Sequence, residues 1–351
     1  MKRDLRSLSE DDCFAIVKAM NEKPFRGKQL FEWIHRKRVC DIDRMTNLPL
    51  EMREKLKEEY ISDPLKLEYK QVSDDRNAEK YLFSLQDGEC IECVWMRYKA
   101  GDSLCVSSQV GCRMGCSFCA STIDGLTRNL TPGEIISQVY DVEAEHYGES
   151  GGHISHIIVM GMGEPFDNYD NLLSFIRIIT SEKGRNLSAR GISVSTCGLE
   201  YGIRKLADER LPITLALSLH APDDELRRKI MPITASHPLS EVLDACREYF
   251  SKTGRRITWE YSMIQGVNDH ASHAEKLAAL ALKMRDSGCP VHINLIPLNP
   301  VKERIYGRSG EKTIVIFKKI LEKYGINVTI RREMGSGIDA ACGQLRKKMI
   351  G

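Results

Sequence analysis

Residues Gly111-Cys112-Arg113-Met114-Gly115-Cys116-Ser117-Phe118-Cys119-Ala120 space three cysteines as C-x3-C-x2-C. An iron-sulfur cluster needs thiolates that wrap one corner of a cube, and a tight loop with Cys112, Cys116 and Cys119 supplies three of the usual four. The fourth iron is left open for a ligand that chelates through an amine and a carboxylate. Gly115 lets such a loop fold tightly. A zinc site is the competing reading, but zinc usually pairs two C-x2-C knuckles, and no second knuckle lies at a fitting distance downstream.

The 351 residues allow about two domains, or one large α/β domain with an appendage, and 42% hydrophobic residues suffice for a substantial core. No stretch approaches the roughly 20 apolar residues of a membrane span. Met1-Lys2-Arg3-Asp4 has no apolar run behind it that would make a signal peptide. A cytoplasmic protein with no membrane partner is expected, and the twelve cysteines then serve metal or redox chemistry rather than structural cross-links. Net charge is +2, but its distribution is uneven. Lys23, Arg26, Lys28, Arg36, Lys37 and Arg38 face one acid, Glu32; near the other end, Lys318, Lys319, Lys323, Arg331, Arg332, Arg346, Lys347 and Lys348 face Glu322, Glu333 and Asp339. Two such ends could grip a phosphate backbone, or could simply be solvated faces.

The first 62 residues read as a small helical domain: Cys13 to Val17 is an apolar stripe, Leu30, Trp33 and Ile34 recur at helical spacing, and Leu48-Pro49 opens a helix over 51–60. Asp63-Pro64 breaks it. Residues 63–100 form a β-rich extension, with strands over 80–85 and 90–96 joined at Asp87-Gly88 as a hairpin. Cys90 and Cys93 would face opposite sides of that strand, which argues against a metal knuckle. Glu92 sits among apolar neighbours, where a carboxylate needs a partner or a task.

From residue 101 to 351 the fold class is α/β. Strands over 104–108, 156–160, 191–196, 214–218, 258–264 and 291–296 alternate with helices such as 131–147, 168–180, 240–251 and 271–286, a pattern that argues a parallel sheet. A helix over 312–324, a strand over 327–331 and a loop over 335–342 close the chain. In such sheets function gathers after the C-terminal strand ends. The thiol loop, Gly161-Met162-Gly163-Glu164-Pro165, Ser195, Ser218-Leu219-His220 and Leu298-Asn299-Pro300 all fall there.

The cysteine spacing and these loops resemble the radical S-adenosylmethionine superfamily, whose core is a partial (β/α)6 barrel. Phe118 resembles the aromatic that precedes its last cysteine. The resemblance implies one [4Fe-4S] cluster on Cys112, Cys116 and Cys119. Gly163 and Glu164 would receive the methionine amine of S-adenosylmethionine; Ser195, Ser218, Leu219 and Asn299 would hold its ribose and carboxylate ends. His220 would touch the ligand or be a satisfied structural histidine. Four stretches, Leu104 to Cys119 (LCVSSQVGCRMGCSFC), Gly161 to Pro165 (GMGEP), Leu215 to Pro222 (LALSLHAP) and Ile338 to Leu345 (IDAACGQL), resemble the RlmN family of RNA adenine methyltransferases over nearly the whole chain.

That resemblance implies a methyl group added to carbon 2 of adenine in 23S rRNA and in tRNA. This carbon is electron-poor and cannot attack a sulfonium methyl. In the implied scheme, Cys342 takes a methyl from one S-adenosylmethionine. A second, bound to the cluster, yields a 5′-deoxyadenosyl radical that removes hydrogen from that methyl, so two are used per turnover. The methylene radical adds to carbon 2, Glu92 removes the ring proton, and Cys105 attacks the sulfur of Cys342, releasing product and leaving a disulfide for a thiol reductant. An electron donor is also implied, and a monomeric enzyme. Cys13, Cys40, Cys197, Cys246 and Cys289 read as structural.

Three rivals differ in what they need. A Cfr-type enzyme methylates carbon 8 of the same ribosomal adenine; Pro165 and Val110 resemble the carbon 2 family, where alanine and cysteine are expected in the Cfr type. A non-catalytic RNA-binding protein would close its cluster with a fourth protein ligand. A methylthiotransferase needs another cluster-binding cysteine set, which the scattered remaining cysteines do not make.

Overall fold

The structure, a computed structural model, describes residues 2–39, 41–148 and 152–331. Cys40, Arg332, Cys342, Arg346, Lys347 and Lys348 lie outside the described residues, as does the expected loop over 335–342.

Strand β1 (Arg3–Asp4) leads into helices α1 (Glu10–Ala19), α2 (Phe25–Phe31) and α3 (Leu50–Glu59), after which β2 (Tyr60–Ile61) returns beside β1. Helix α1 starts at a capping box in which Ser9 and Asp12 each satisfy the other's backbone N–H. The helix buries Cys13 and Val17 from the expected stripe. Helix α2 passes into a π-turn, Glu32–Arg36, that carries His35 inward. There His35 sits 3.0 Å from Leu8 O and 3.2 Å from the Tyr140 hydroxyl.

Strands β3 (Leu65–Val72), β4 (Ala78–Leu85), β5 (Cys90–Tyr98) and β6 (Gly101–Cys105) pair antiparallel in succession. The expected hairpin is therefore not a separate flap: it continues the main sheet. Strand β6 begins earlier than expected and leaves the sheet after Cys105. Ser107 is drawn off by its own bonds, its hydroxyl donating to Glu92 O at 2.6 Å and accepting from Met162 N–H at 2.9 Å.

A separate hairpin, β7 (Gln109–Gly111) with β8 (Leu126–Asn129), closes around the thiol loop. The chain then alternates: α4 (Pro132–Tyr147), β9 (His156–Val159), α5 (Tyr169–Thr180), β10 (Ile192–Thr196), α6 (Glu200–Glu209), β11 (Thr214–Ser218), α7 (Asp224–Ile230), α8 (Leu239–Thr253), β12 (Ile257–Met263), α9 (Ala271–Asp286), β13 (Val291–Pro297), α10 (Glu311–Lys323) and β14 (Asn327–Ile330). The ten-stranded sheet runs β14-β13-β12-β11-β10-β9-β6-β5-β4-β3, and every pairing from β6 to β14 is parallel. It is an open, incomplete barrel, with β14 and β3 at its edges.

Period-two alternation in the strands decides what faces the axis. Val194, Leu215, Leu217, Trp259, Tyr261, Ile293 and Leu295 are buried in the main apolar core. Their sequence neighbours Ser195, Ser218, Glu260 and Ser262 turn the other way and line a cavity of about 340 Å³. A barrel filled by branched side chains would leave no such space.

The β7–β8 hairpin depends on a glycine. Gly111 has φ +76°, and a Cβ there would lie 2.0 Å from Gly125 O, whereas at Gly88 (φ +84°) nothing lies within 4 Å. Alanine at Gly88 is expected to cost only the left-handed penalty of about 1–2 kcal/mol. Gly111→Ala should cost about 2 kcal/mol more, because the clash is with backbone. Urea unfolding of the two variants checks this; equal losses would contradict the packing argument.

Candidate active site

The thiol loop is held by its neighbours rather than by its own apolar content. Cys112 N–H donates to Gly125 O at 2.8 Å, and the Thr122 hydroxyl donates to Cys116 O and Cys119 O at 2.9 and 3.1 Å. Arg304 donates to Cys119 O at 3.0 Å, and Ser117 N–H to Ile230 O at 2.9 Å. Burial pushes the Cys112 thiol up to about 12. Burial also raises Cys116, which Cys119 and Cys112 push up further and Arg227 opposes. These thiols are thus close enough to repel as thiolates and need metal to ionise them. Among the described residues no three Cys, His, Asp or Glu side chains converge on a single ion. Three thiols on one tight loop fit a cluster, whose corners are separate iron atoms, better than zinc, which usually pairs two C-x2-C knuckles.

The Gly161 to Pro165 loop presses onto the segment before the thiols. A Cβ at Gly163, where φ is +106°, would meet Gln109 Cβ at 2.6 Å. Glu164 is buried; Oε1 accepts from Phe166 N–H at 3.1 Å and Oε2 from Cys197 N–H at 2.7 Å. Burial raises its proton affinity, and these bonds hold it down. Gly163, Glu164, Ser195, Ser218, His220 and Asn299 line the same cavity as Cys112, Cys116 and Cys119. The hydroxyls of Ser195 and Ser218 are 3.1 Å apart.

His220 has a left-handed backbone, φ 55°, uncommon for a non-glycine residue. The turn brings its ring edge-on to Phe118, with centroids 5.1 Å apart. Burial, aided by Arg227, lowers it to about 3. The ring is therefore neutral; Nδ1 accepts from Ser262 N–H at 3.0 Å and the proton resides on Nε2. Leu219 behaves otherwise: its side chain is wholly buried in the apolar core and does not line the cavity, because alternation along the strand end turns it away.

Cys105, at the end of β6, lines the cavity and pairs in register with Val94. Glu92 lies two residues before Val94 and so on the same face of β5, beneath the cavity wall rather than in it. Its carboxylate is 2% exposed and meets Lys80 Nζ at 2.8 Å, across the β4–β5 pair. Cys90 and Cys93 fall on opposite faces, with Cys93 in the main core and Cys90 against Leu82. No disulfide joins the ten described cysteines, and the expected partner of Cys105, Cys342, lies outside the described residues.

Three residues escape sequence reading. Glu260 lines the cavity, accepts from Asn294 Nδ2 at 2.9 Å, and is raised by burial. Its signal was present: a lone carboxylate inside the apolar strand Ile257–Met263. Lys80 gave the same signal in β4. Arg227 is fully buried although it belongs to the highly charged Asp224–Ile230, which reads as a solvated face. Nothing local marks it.

The family model for the ribosomal RNA large subunit methyltransferase N-terminal domain matches residues 3–61, and the radical SAM superfamily model matches 106–281. The chain is 52% identical over 350 residues to a probable dual-specificity RNA methyltransferase RlmN of Lachnoclostridium phytofermentans, covering 99% of this chain and 95% of that one. A protein of the same description from Geobacillus thermodenitrificans is 50% identical over 342 residues, covering 97% and 92%. A radical SAM methyltransferase from Sphaerobacter thermophilus superposes with a TM-score of 0.91 at 42% identity, covering 97% and 98%. With the fold, the thiol loop and relatives at half identity over nearly full length in agreement, the chain belongs to the RlmN family within the radical S-adenosylmethionine superfamily.

Proposed function

We propose that this enzyme methylates carbon 2 of adenine in 23S rRNA and tRNA through a methylated cysteine. One observation carries the reading: the wall of the cavity that gathers the three loop thiols also presents two further cysteines, Cys197 and, at the end of the strand beside Glu92's, Cys105, with Arg331 in the same lining. Cys342 lies eleven positions after Arg331, a stretch that can span up to about 40 Å. Cys342 therefore has the length of chain to meet Cys105, and a disulfide between them follows from the proposed release step.

The family implies a [4Fe-4S] cluster and S-adenosylmethionine. Cys112, Cys116 and Cys119 would hold the cluster, which when bound supplies the electron for reductive cleavage of the sulfonium. Gly163, Glu164, Ser195, Ser218, His220 and Asn299 would orient the cofactor, and the neutral His220 offers its Nε2–H as a donor. Cys342 would accept a methyl as thiolate and, after hydrogen loss, present its carbon to the base. Glu92, paired with Lys80 at 2.8 Å, would take the ring proton. Cys105 would then break the carbon–sulfur bond by attack on the Cys342 sulfur, with the electron taken up at sulfonium cleavage returned to the electron carrier, so each turnover consumes two S-adenosylmethionine and ends on a thiol reductant.

We assign RNA capture to residues 1–62, the strand extension 63–100 to one wall of the site, and 101–351 to the barrel and its catalytic loop. Lys23, Lys28, Arg36 and Lys37 lie at the surface, and Lys37 Nζ is 3.4 Å from the centre of the Trp33 ring. Cations beside an aromatic face suit a phosphate backbone with unstacked bases. Arg38 is already engaged by Glu143. A base must leave its stack to enter a cavity of about 340 Å³. Among the described residues no helix is long and apolar enough to cross a membrane, which agrees with work on RNA in the cytoplasm.

Two outcomes are expected. In Cys105→Ala, RNA remains covalently attached to protein on denaturing gels, and Cys105→Ala/Cys342→Ala shows no adduct; freely released methylated RNA from the single variant would refute the release step. In Glu92→Gln, methylated RNA falls by about 10²–10⁴-fold while 5′-deoxyadenosine still forms in the presence of RNA. Mass spectrometry of digested RNA from the unaltered enzyme should place the methyl on carbon 2; methyl on carbon 8 would support the Cfr-type rival.

A further inference from the structure

Arg227 carries a charge into the interior and meets no carboxylate there. Its side chain is fully buried. Nε donates to Leu219 O at 3.1 Å, Nη1 to Thr234 Oγ1 at 2.9 Å, and Nη2 to Ser218 O at 3.2 Å and to Cys197 O. Every one of these acceptors is neutral. Among the described residues no Asp or Glu oxygen comes within 4.0 Å of the guanidinium. The helix that carries it abuts the thiol loop: Ser117 N–H donates to Ile230 O at 2.9 Å, and Met231, the next residue, lines the cavity with Cys116.

An arginine does not escape such a position by losing its proton. The four acceptors offset the lost hydration of its N–H groups but leave the net charge uncompensated, and a buried unpaired ion is costly. A fold that keeps it needs an anion nearby. Three thiolates on a [4Fe-4S] core carry net negative charge, and uptake of one electron adds another. Charge around a cluster is one of the quantities that set its potential.

We propose that Arg227 is a positioning residue that serves as the counter-charge of the cluster, favouring its assembly and its one-electron reduction. This rests on the cluster assignment to Cys112, Cys116 and Cys119. It separates two roles the geometry combines: the fork ties together the loops after β10 and β11, and the charge sits on a helix whose end meets the thiol loop. Lysine keeps the second role and loses most of the first; glutamine and methionine lose the charge.

The test is anaerobic reconstitution with iron and sulfide, followed by dithionite titration of the cluster read by electron paramagnetic resonance, on the full-length wild type, Arg227→Lys, Arg227→Gln and Arg227→Met. The neutral variants should bind less iron and be at least tenfold harder to reduce, 59 mV more negative for one electron, while Arg227→Lys stays within about threefold of wild type. Iron-free neutral variants should melt no lower than iron-free Arg227→Lys, because lysine loses the fork as they do but keeps the unpaired charge. Midpoints unchanged in the neutral variants, or lowered as much by lysine, overturn the proposal. So does failure of the iron-free neutral variants to fold, which would make Arg227 a clamp alone. A wild type that takes up no cluster would overturn the cluster assignment itself, an outcome distinct from a loaded wild type with indifferent variants.

Discussion

Polar groups turned toward the axis of a parallel barrel must find partners, since a buried hydroxyl, amide or carboxylate without one costs roughly 1–3 kcal/mol by protein measurements. In this chain Ser218 of β11 pairs in register with Glu260 of β12, which pairs with Asn294 of β13, which pairs with Thr329 of β14. The row satisfies itself in part: Asn294 donates to Glu260 and accepts from the Thr329 hydroxyl at 3.0 Å. What remains opens on the cavity. The interior is thus held open by chemistry that would be penalised if it closed, while the outward alternate residues supply the packing that keeps the strands together.

The same economy joins the helical N-terminal part to the barrel. Glu143 on α4 is buried and receives Arg38 from the first part and Arg185 from the barrel, with a second oxygen contact from Ile154 N–H at 2.9 Å. Arg6 reaches Asp141, two residues earlier on α4, at 2.7 Å. His35 packs between Leu8 O and Tyr140, and burial lowers it to about 3, so it remains a neutral hydrogen-bonding ring across the ordinary pH range. Helix α4 therefore holds the helical N-terminal part through directional bonds. Directional contacts fix orientation more tightly than an apolar patch of similar size would.

Much of this was legible beforehand, and the reason is period. Strands such as Ile192–Thr196 and Thr214–Ser218 alternate cleanly, so their place in a parallel sheet and the inward direction of Ser195 and Ser218 follow from spacing alone. The thiol loop was legible because ligand spacing is a local property. Arg227 was not, because a charged helix turn such as Asp224–Ile230 looks solvated until tertiary packing turns one of its cations inward. The β7–β8 hairpin was missed for a related reason: its strands span three and four residues, too short for alternation to register. At Leu219 the side chain turns into the core, which leaves only its backbone to meet a ligand. A motif taken as a block hides the fact that adjacent residues at a strand end face opposite ways.

The Lys80–Glu92 pair bears on why the antiparallel strands belong to the catalytic body at all. Both side chains are essentially sealed from solvent, Lys80 at 0% and Glu92 at 2%. A buried ion pair is weak support for stability, because apolar residues of similar size often serve as well or better, by about 1–4 kcal/mol. Stability therefore does not explain its presence on a strand whose other members are mostly apolar. The base role proposed for Glu92 would account for it, since a carboxylate this deep needs a cationic partner. On that proposal β4 belongs to the active site although it does not line the cavity. Its contribution is to deliver a charge through the sheet to the strand that neighbours Cys105.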